Sequence, residues 1–258
     1  MNYGLGFYIG NFFIAYYGLF LVCGLSLALL LAYFKIKKHG LDFEKFALAI
    51  AICSLFALFG AKILYLALEF KNIDFTRISD PVYLNELMSG GFVFYGALLG
   101  GIPGFYFVYK VFHINIKEYI PSTAFMIPLV HGFGRLGCFA VGCCHGIPYS
   151  SSYSILYTNS LFAPNNVPLF PVQPVEAICN FLLAGFLFFF SKKQRGFEPL
   201  YLYFVIYGII RFSLELFRGD ARRGFLFALS TSQYISLLLI AVGVFALLLA
   251  RAKKKRED

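Results

Sequence analysis

The chain has 258 residues, of which 60% are hydrophobic and 14% are charged, and its mean hydropathy is +0.75. A water-soluble domain has about one half apolar and one quarter charged residues. The composition therefore excludes an ordinary soluble protein. It predicts an all-α, polytopic membrane protein that forms a single integral membrane domain over residues 1–258.

The net charge of +9 is not a nucleic-acid signal, because most of the lysines and arginines lie in short hydrophilic segments between apolar runs. Basic residues in such segments set the orientation of membrane helices. We therefore expect no nucleic-acid partner.

Seven apolar segments approach the length of about 20 residues that a helix needs to cross a bilayer. In chain order they are Asn11–Phe34, Phe46–Leu68, Phe92–Phe112, Ile120–Cys138, Val175–Phe190, Leu200–Phe217 and Phe225–Leu249. The fifth is short for a full crossing. We predict about seven transmembrane helices.

The positive-inside rule predicts the orientation of these helices. An outside N-terminus and a cytoplasmic C-terminus place most of the 22 basic residues on the inner side. Those residues are Lys35, Lys37, Lys38, Lys45, Lys110, Lys117, Lys192, Lys193, Arg195, Arg251, Lys253, Lys254, Lys255 and Arg256. The end of the fourth helix then lies on the outer side.

Two features predict how the helices are arranged around that end. The segment 146–174 is uncharged and rich in Ser, Asn, Pro and Tyr, so we predict a folded outer-side cap over approximately residues 143–174. Gly96, Gly100 and Gly104 recur every four residues in the third helix, and small residues at this spacing favour close helix packing.

The segment from Gly134 to Gly146 combines one arginine, three cysteines and a histidine among glycines. An ionised arginine at the edge of the hydrocarbon needs an anionic partner. Glycines allow a ligand to approach the backbone. We therefore predict that Arg135 binds an anion.

The three clustered cysteines allow several interpretations. They are Cys138, Cys143 and Cys144, followed by His145. They could serve in packing or a disulfide. One could instead be a nucleophilic thiol activated by a nearby positive charge. They could also bind zinc, although the spacing lacks the usual second pair of ligands.

Three further polar segments are predicted to lie on the outer side: Ser89–Gly96, Pro171–Glu176 and Tyr207–Asp220. In the last, Arg211, Glu215 and Arg218 share one helix face. Either Arg211 and Glu215 form an internal ion pair, or one arginine is available for a ligand. A phospholipid phosphate is the anion most accessible at this depth, and guanidinium binds phosphate through two parallel hydrogen bonds.

Taken together, these residues resemble the bacterial prolipoprotein diacylglyceryl transferases, from Tyr16-Tyr17-Gly18 to Ser232-Gln233. The family signature begins Gly-Arg-x-Gly-Asn-Phe, and the chain has Gly134-Arg135-Leu136-Gly137-Cys138-Phe139. The motif Pro-x-Gln-x-x-Glu matches Pro171, Gln173 and Glu176. The motif Tyr-Gly-x-x-Arg-x-x-x-Glu-x-x-Arg matches Tyr207, Gly208, Arg211, Glu215 and Arg218.

The resemblance implies an enzyme of the bacterial cytoplasmic (inner) membrane. Such an enzyme transfers the diacylglyceryl group of phosphatidylglycerol to the lipobox cysteine thiol of a prolipoprotein. A thioether forms and glycerol phosphate is released. The implied partners are phosphatidylglycerol, prolipoprotein signal peptides and membrane lipids, and we expect no cofactor and no metal.

The resemblance also implies roles for single residues. The implied catalytic residues are Arg135, Arg211, Tyr95 and Glu215. The implied substrate-binding residues are Arg135, Gly134, Gly137, Cys138, Gln173, Glu176, Tyr17 and Arg218.

The chain departs from the family pattern at four positions. Tyr95 replaces a histidine, Cys138 and Val141 replace asparagines, and Cys143 replaces an acid. Alternatives are therefore a related lipid transferase with another acceptor, or a membrane redox or metal-binding protein that uses the cysteine cluster with His145. A lipid binder or anion transporter without catalytic activity is a further alternative.

Overall fold

The computed structural model describes residues 5–10, 12–89, 93–191, 196–220, 224–226 and 228–257. The α-helices are α1 (Tyr16–Lys38), α2 (Phe43–Leu68), α3 (Pro81–Ser89), α4 (Phe94–Phe112), α5 (Ile120–Thr123), α6 (Met126–Val141), α7 (Val172–Phe190), α8 (Glu198–Glu215) and α9 (Thr231–Glu257). The strands form antiparallel hairpins, which are β1 (Gly6–Ile9) with β2 (Phe12–Ala15), β3 (Ile155–Leu156) with β4 (Pro168–Leu169), and β5 (Phe225–Leu226) with β6 (Leu229–Ser230).

The prediction of an all-α polytopic membrane protein is confirmed. Within the described ranges, five helical stretches are long and apolar enough to cross a membrane, and they are Tyr16–Lys38, Phe43–Leu68, Ile120–Val141, Val172–Phe190 and Thr231–Lys255. Each of the seven predicted segments contains a helix. The other two are the helix of the third segment, whose apolar part includes Gly96–Phe112, and α8, which carries three charged residues.

Two predicted helix starts are wrong, and a third predicted helix is interrupted, for identifiable reasons. The first helix begins at Tyr16 because residues 12–15 pair with β1 as a strand. The last helix begins at Thr231, after the β5–β6 hairpin. There Ser230 and Gln233 cap each other's backbone N–H groups in a capping box. The fourth segment is divided into α5 and α6 because Pro128 has no N–H to donate to the carbonyl of Ala124.

The chain divides into two compact units, one formed by Gly40–Tyr119 and the other by Met1–His39 with Ile120–Asp258. In the first unit, α2 packs against α4. A Cβ at Gly96 would collide with the backbone oxygen of Gly60, and one at Gly100 would collide with that of Phe56. The predicted close packing by these glycines is confirmed.

In the second unit, α1 packs on α6, α6 on α7, α7 on α8, and α8 on α9. Glycines again allow close approach: a Cβ at Gly208 of α8 would lie 2.9 Å from the backbone oxygen of Ser236 in α9. Among the five candidate spans, Ile120–Val141 has the largest buried share. Of its most apolar residues, 56% are buried inside the protein. Within this span, the side chains of His131 and Arg135 are 26% and 13% exposed.

The segment that follows α6 folds as a small structured element. Tyr157, Ala163 and Leu169 form its own apolar cluster, and Phe139 of α6 packs against it. The Tyr157 hydroxyl donates to the backbone oxygen of Phe139 at 3.2 Å. This element is therefore anchored on the end of α6, and its location on the outer side stays a prediction.

Candidate active site

Arg135 and Glu176 form the centre of the candidate site. Arg135 lies on the last two turns of α6, and Glu176 lies on the first turns of α7. The Arg135 Nε atom is 3.0 Å from Glu176 Oε1, and the glutamate side chain is only 2% exposed. Neither atom has an aligned hydrogen bond. Because both groups are buried, the carboxylate offsets the cost of burying the arginine.

A second ion-pair cluster lies at the C-terminal end of α8. The Arg211 Nη2 atom is 2.8 Å from Glu215 Oε2 and also donates to Ser232 Oγ at 2.9 Å. Arg218 lies 3.9 Å from the same glutamate oxygen, and it binds Asp220 through two parallel hydrogen bonds. The internal Arg211–Glu215 pair, which was one of the two interpretations of this face, is therefore present.

The pairing leaves hydrogen-bond donors free. Arg211 Nη1 is buried and has no hydrogen-bond partner among the described residues. An arginine has five N–H donors in a planar fork, and a glutamate does not use them all. The internal pair therefore does not prevent Arg211 from binding an anion.

His131 and Tyr207 lie near both arginines. The His131 Nε2 atom is 3.7 Å from Glu176 Oε1, and its ring is 5.1 Å from the Tyr207 ring. Arg135 and Arg211 both interact electrostatically with His131 and with Tyr207. Helices α6, α7 and α8 thus bring Arg135, Arg211 and Glu176 into electrostatic contact with His131.

The three thiols of Cys138, Cys143 and Cys144 lie together directly after α6. Their Sγ atoms are all within 4.8 Å of one another, and all six cysteines of the chain are free. Gly142 and Cys144 both adopt the left-handed backbone conformation. These two residues turn the chain back towards Cys138.

The thiols next to the arginines are not equivalent. Hydrogen bonds from Cys138 and Cys143 lower the pKa of Cys144, burial opposes the change, and Arg135 and Arg218 reinforce it. Hydrogen bonding to the other two thiols and burial raise the pKa of Cys143. The pKa of Cys144 is therefore shifted in the opposite direction to that of Cys143.

The remaining predicted residues fall into three groups. Gln173 donates to the backbone oxygen of Cys143 at 3.0 Å and to the Tyr157 hydroxyl at 3.3 Å. Tyr17 of α1 fills the space beside Gly137, and a Cβ at Gly137 would lie 3.0 Å from the tyrosine ring. Gly134 also lies next to α1. The Tyr95 side chain lies outside the described residues, as do Gly90 and Gly91.

Sequence reasoning missed two partners of the arginines. Ser232 at the start of α9 accepts from Arg211, and Asp220 binds Arg218. The pairing of Arg218 with Asp220 could have been predicted from the sequence, because a carboxylate two residues after an arginine lies within its reach. Ser232 could not be found from the sequence alone, because it comes from another helix.

Comparison with known proteins places the chain in a family. A sequence model of the prolipoprotein diacylglyceryl transferases matches residues 5–249. The chain belongs to this family. The matched region contains the whole buried arginine–carboxylate site. The residues of this site lie in the Gly134–Gly146 segment, in the Gln173–Glu176 segment and in α8.

Named relatives agree with the family assignment. The chain is 37% identical to the phosphatidylglycerol–prolipoprotein diacylglyceryl transferase of Clostridium tetani, over 93% of this chain and 94% of the relative. It is 32% identical to the second such transferase of Clostridium perfringens, over 93% of both chains. It is 26% identical to that of Clostridium botulinum, over 98% of both.

Proposed function

We propose that this protein is a phosphatidylglycerol–prolipoprotein diacylglyceryl transferase. It transfers the diacylglyceryl group from the lipid to the lipobox cysteine thiol of a prolipoprotein, and it releases glycerol phosphate. Full-length similarity to proteins of that name supports the reaction. The observation that carries the proposal for the site is the buried, unpartnered Nη1 atom of Arg211, in a site that also holds Arg135.

The lipid phosphate is the ligand for these donors. The non-bridging oxygens of a phosphodiester accept charge-assisted hydrogen bonds from guanidinium N–H groups. Glu176 and Glu215 hold the two arginines in place when no lipid is bound. The phosphate then binds to donors that the carboxylates leave unused, so Arg135 and Arg211 bind substrate while Glu176 and Glu215 position them.

The reaction forms a C–S bond and breaks a C–O bond. The acceptor thiol loses its proton, its sulfur attacks the glycerol carbon of the diacylglyceryl group, and the electron pair of the C–O bond leaves on the phosphate oxygen. Negative charge on the leaving group increases in the transition state. Donors that are already positioned, such as those of Arg135 and Arg211, lower the barrier because they need no reorganisation.

The protein functions in the bacterial cytoplasmic membrane with its N-terminus outside. The exposed basic end of α9, after Arg251, supports a cytoplasmic C-terminus. Lys192, Lys193 and Arg195, which the sequence places on the same side, lie outside the described residues. The uncharged segment after α6 then covers the site from the outer side and restricts access of water, which competes with the thiol.

Complementation tests this function. The chain is expressed in a bacterium whose own transferase can be depleted, and lipoprotein maturation is followed by gel mobility and mass spectrometry. We expect the wild-type chain to restore maturation. Arg135→Ala should abolish it, while Arg251→Ala, which changes an exposed arginine on α9, should not. A wild-type chain that is present in the membrane and restores no maturation refutes the proposal.

A further inference from the structure

The cysteine cluster has the geometry of a metal site. The Sγ atoms of Cys138, Cys143 and Cys144 all lie within 4.8 Å of one another. Zinc binds thiolate sulfur at about 2.3 Å, so three sulfurs around one ion are about 3.7–4.0 Å apart. A small contraction, within the range of a χ1 adjustment, is enough to enclose an ion.

The backbone holds these sulfurs in position. Cys138 belongs to the last turn of α6 and is buried, while Cys143 and Cys144 are partly exposed. The left-handed conformations of Gly142 and Cys144 fold the turn. Gln173 binds the backbone oxygen of Cys143 at 3.0 Å. A left-handed non-glycine residue is uncommon and persists only where the surroundings require it.

The charges around the cluster match a metal-bound state. Zinc with three thiolates carries a net charge of −1, because two positive charges meet three negative ones. The Arg135 Nη1 atom is 3.9 Å from Cys138 Sγ, and Arg218 interacts electrostatically with Cys144. These cations repel a free zinc ion but stabilise the anionic zinc–trithiolate complex.

The cluster supplies three ligands and leaves the fourth position open. Among the described residues, no histidine or carboxylate joins the three sulfurs within that distance. His145 is the nearest candidate in the sequence, and its Nδ1 atom is 3.0 Å from the backbone oxygen of Gly146. Three protein ligands with one open position are the pattern of catalytic zinc sites, whereas structural zinc sites have four.

We propose that Cys138, Cys143 and Cys144 bind a zinc ion whose open position takes the acceptor cysteine of the prolipoprotein. This inference rests on the proposed function, and it replaces our expectation of no metal. The thiolate is the nucleophilic form of cysteine and is the form that binds metal. The acceptor thiol releases its proton to water on binding, and its sulfur then attacks the glycerol carbon while zinc keeps its oxidation state.

Metal binding is measured first, independently of the reaction. The purified full chain is treated with chelator, loaded with Zn²⁺ or Co²⁺ in detergent, and analysed for metal content. We expect about one zinc per chain and, with cobalt, the charge-transfer band of thiolate ligands. Cys143→Ser and Cys144→Ser should lose both. Cys179→Ser, which changes a free cysteine of α7 outside the cluster, should keep both.

The acceptor step is measured on the same samples. A lipobox peptide should change the cobalt spectrum, and its Cys-to-Ser counterpart should not. Removing zinc should reduce the transfer rate by about 100-fold or more, the size of effect that activating a nucleophile by proton removal produces, and zinc should restore it.

Each of the remaining outcomes shows which proposal is wrong, the zinc site or the transferase function. A chain that transfers diacylglycerol and binds no zinc overturns the metal site and leaves the proposed function intact. A chain that binds zinc but transfers equally well without it overturns the acceptor step. A chain that binds zinc and never transfers overturns the proposed function and leaves the metal site.

Discussion

Replacing Arg211 with lysine tests whether the Nη1 group of this guanidinium binds the lipid phosphate. The Nη2 atom is occupied by Glu215 and Ser232, while Nη1 is buried without a partner. Lysine keeps the positive charge beside Glu215, but its compact ammonium group lacks the separate Nη1 donor that can bind a phosphate while the glutamate stays paired. The variant therefore loses at least one charge-assisted hydrogen bond to substrate.

The size of the effect follows from that bond. A hydrogen bond to a charged group contributes about 1.5–3 kcal/mol. If the bond strengthens as charge develops on the leaving phosphate, kcat/KM falls by about 10- to 150-fold. The charge beside Glu215 is preserved, so the variant should keep most of its stability in detergent.

The assay uses purified protein in mixed micelles of phosphatidylglycerol with a lipobox peptide, and mass spectrometry follows the thioether product. Arg251→Lys makes the same chemical change at an exposed position and should be fully active. Thermal unfolding of both variants separates loss of binding from loss of folding. An Arg211→Lys enzyme with wild-type kcat/KM refutes phosphate binding by this side chain.

Three further substitutions test the packing and charge compensation of the site. Glu176→Gln should destabilise the protein by about 3 kcal/mol, seen as a lower Tm in detergent, because it leaves the buried Arg135 without its carboxylate. Gly100→Ala should lower the Tm because its Cβ collides with the backbone of α2, whereas Gly101→Ala, with open space around it, should not. Tyr157→Phe should cost about 1 kcal/mol and slow transfer, since it removes the hydroxyl that joins the segment after α6 to that helix.

Helices and glycine contacts were predictable because they depend on local pattern. Continuous apolar runs identify the spans, and the four-residue spacing of Gly96, Gly100 and Gly104 identifies the face that meets α2. The ends of the helices were less predictable. The residues of β2 are as apolar as those of α1, so hydropathy could not separate the strand from the helix that follows it.

The partners within the site could not be predicted for a different reason. Arg211 and Glu215 are four residues apart on one helix, and their pairing follows from that spacing. Arg135 and Glu176 come from different helices, and only the packing of α6 on α7 brings them together. The thiol cluster depends on two left-handed residues, of which Cys144 carries no sequence signal for that conformation.

The most direct test of the proposed reaction uses the purified chain and defined lipids. A lipobox peptide is incubated with phosphatidylglycerol or with phosphatidylethanolamine, and both the peptide mass and the released head group are measured. We expect a diacylglyceryl thioether on the cysteine, with one glycerol phosphate released for each peptide modified, from phosphatidylglycerol only. An intact peptide mass in the presence of folded protein and phosphatidylglycerol would contradict it.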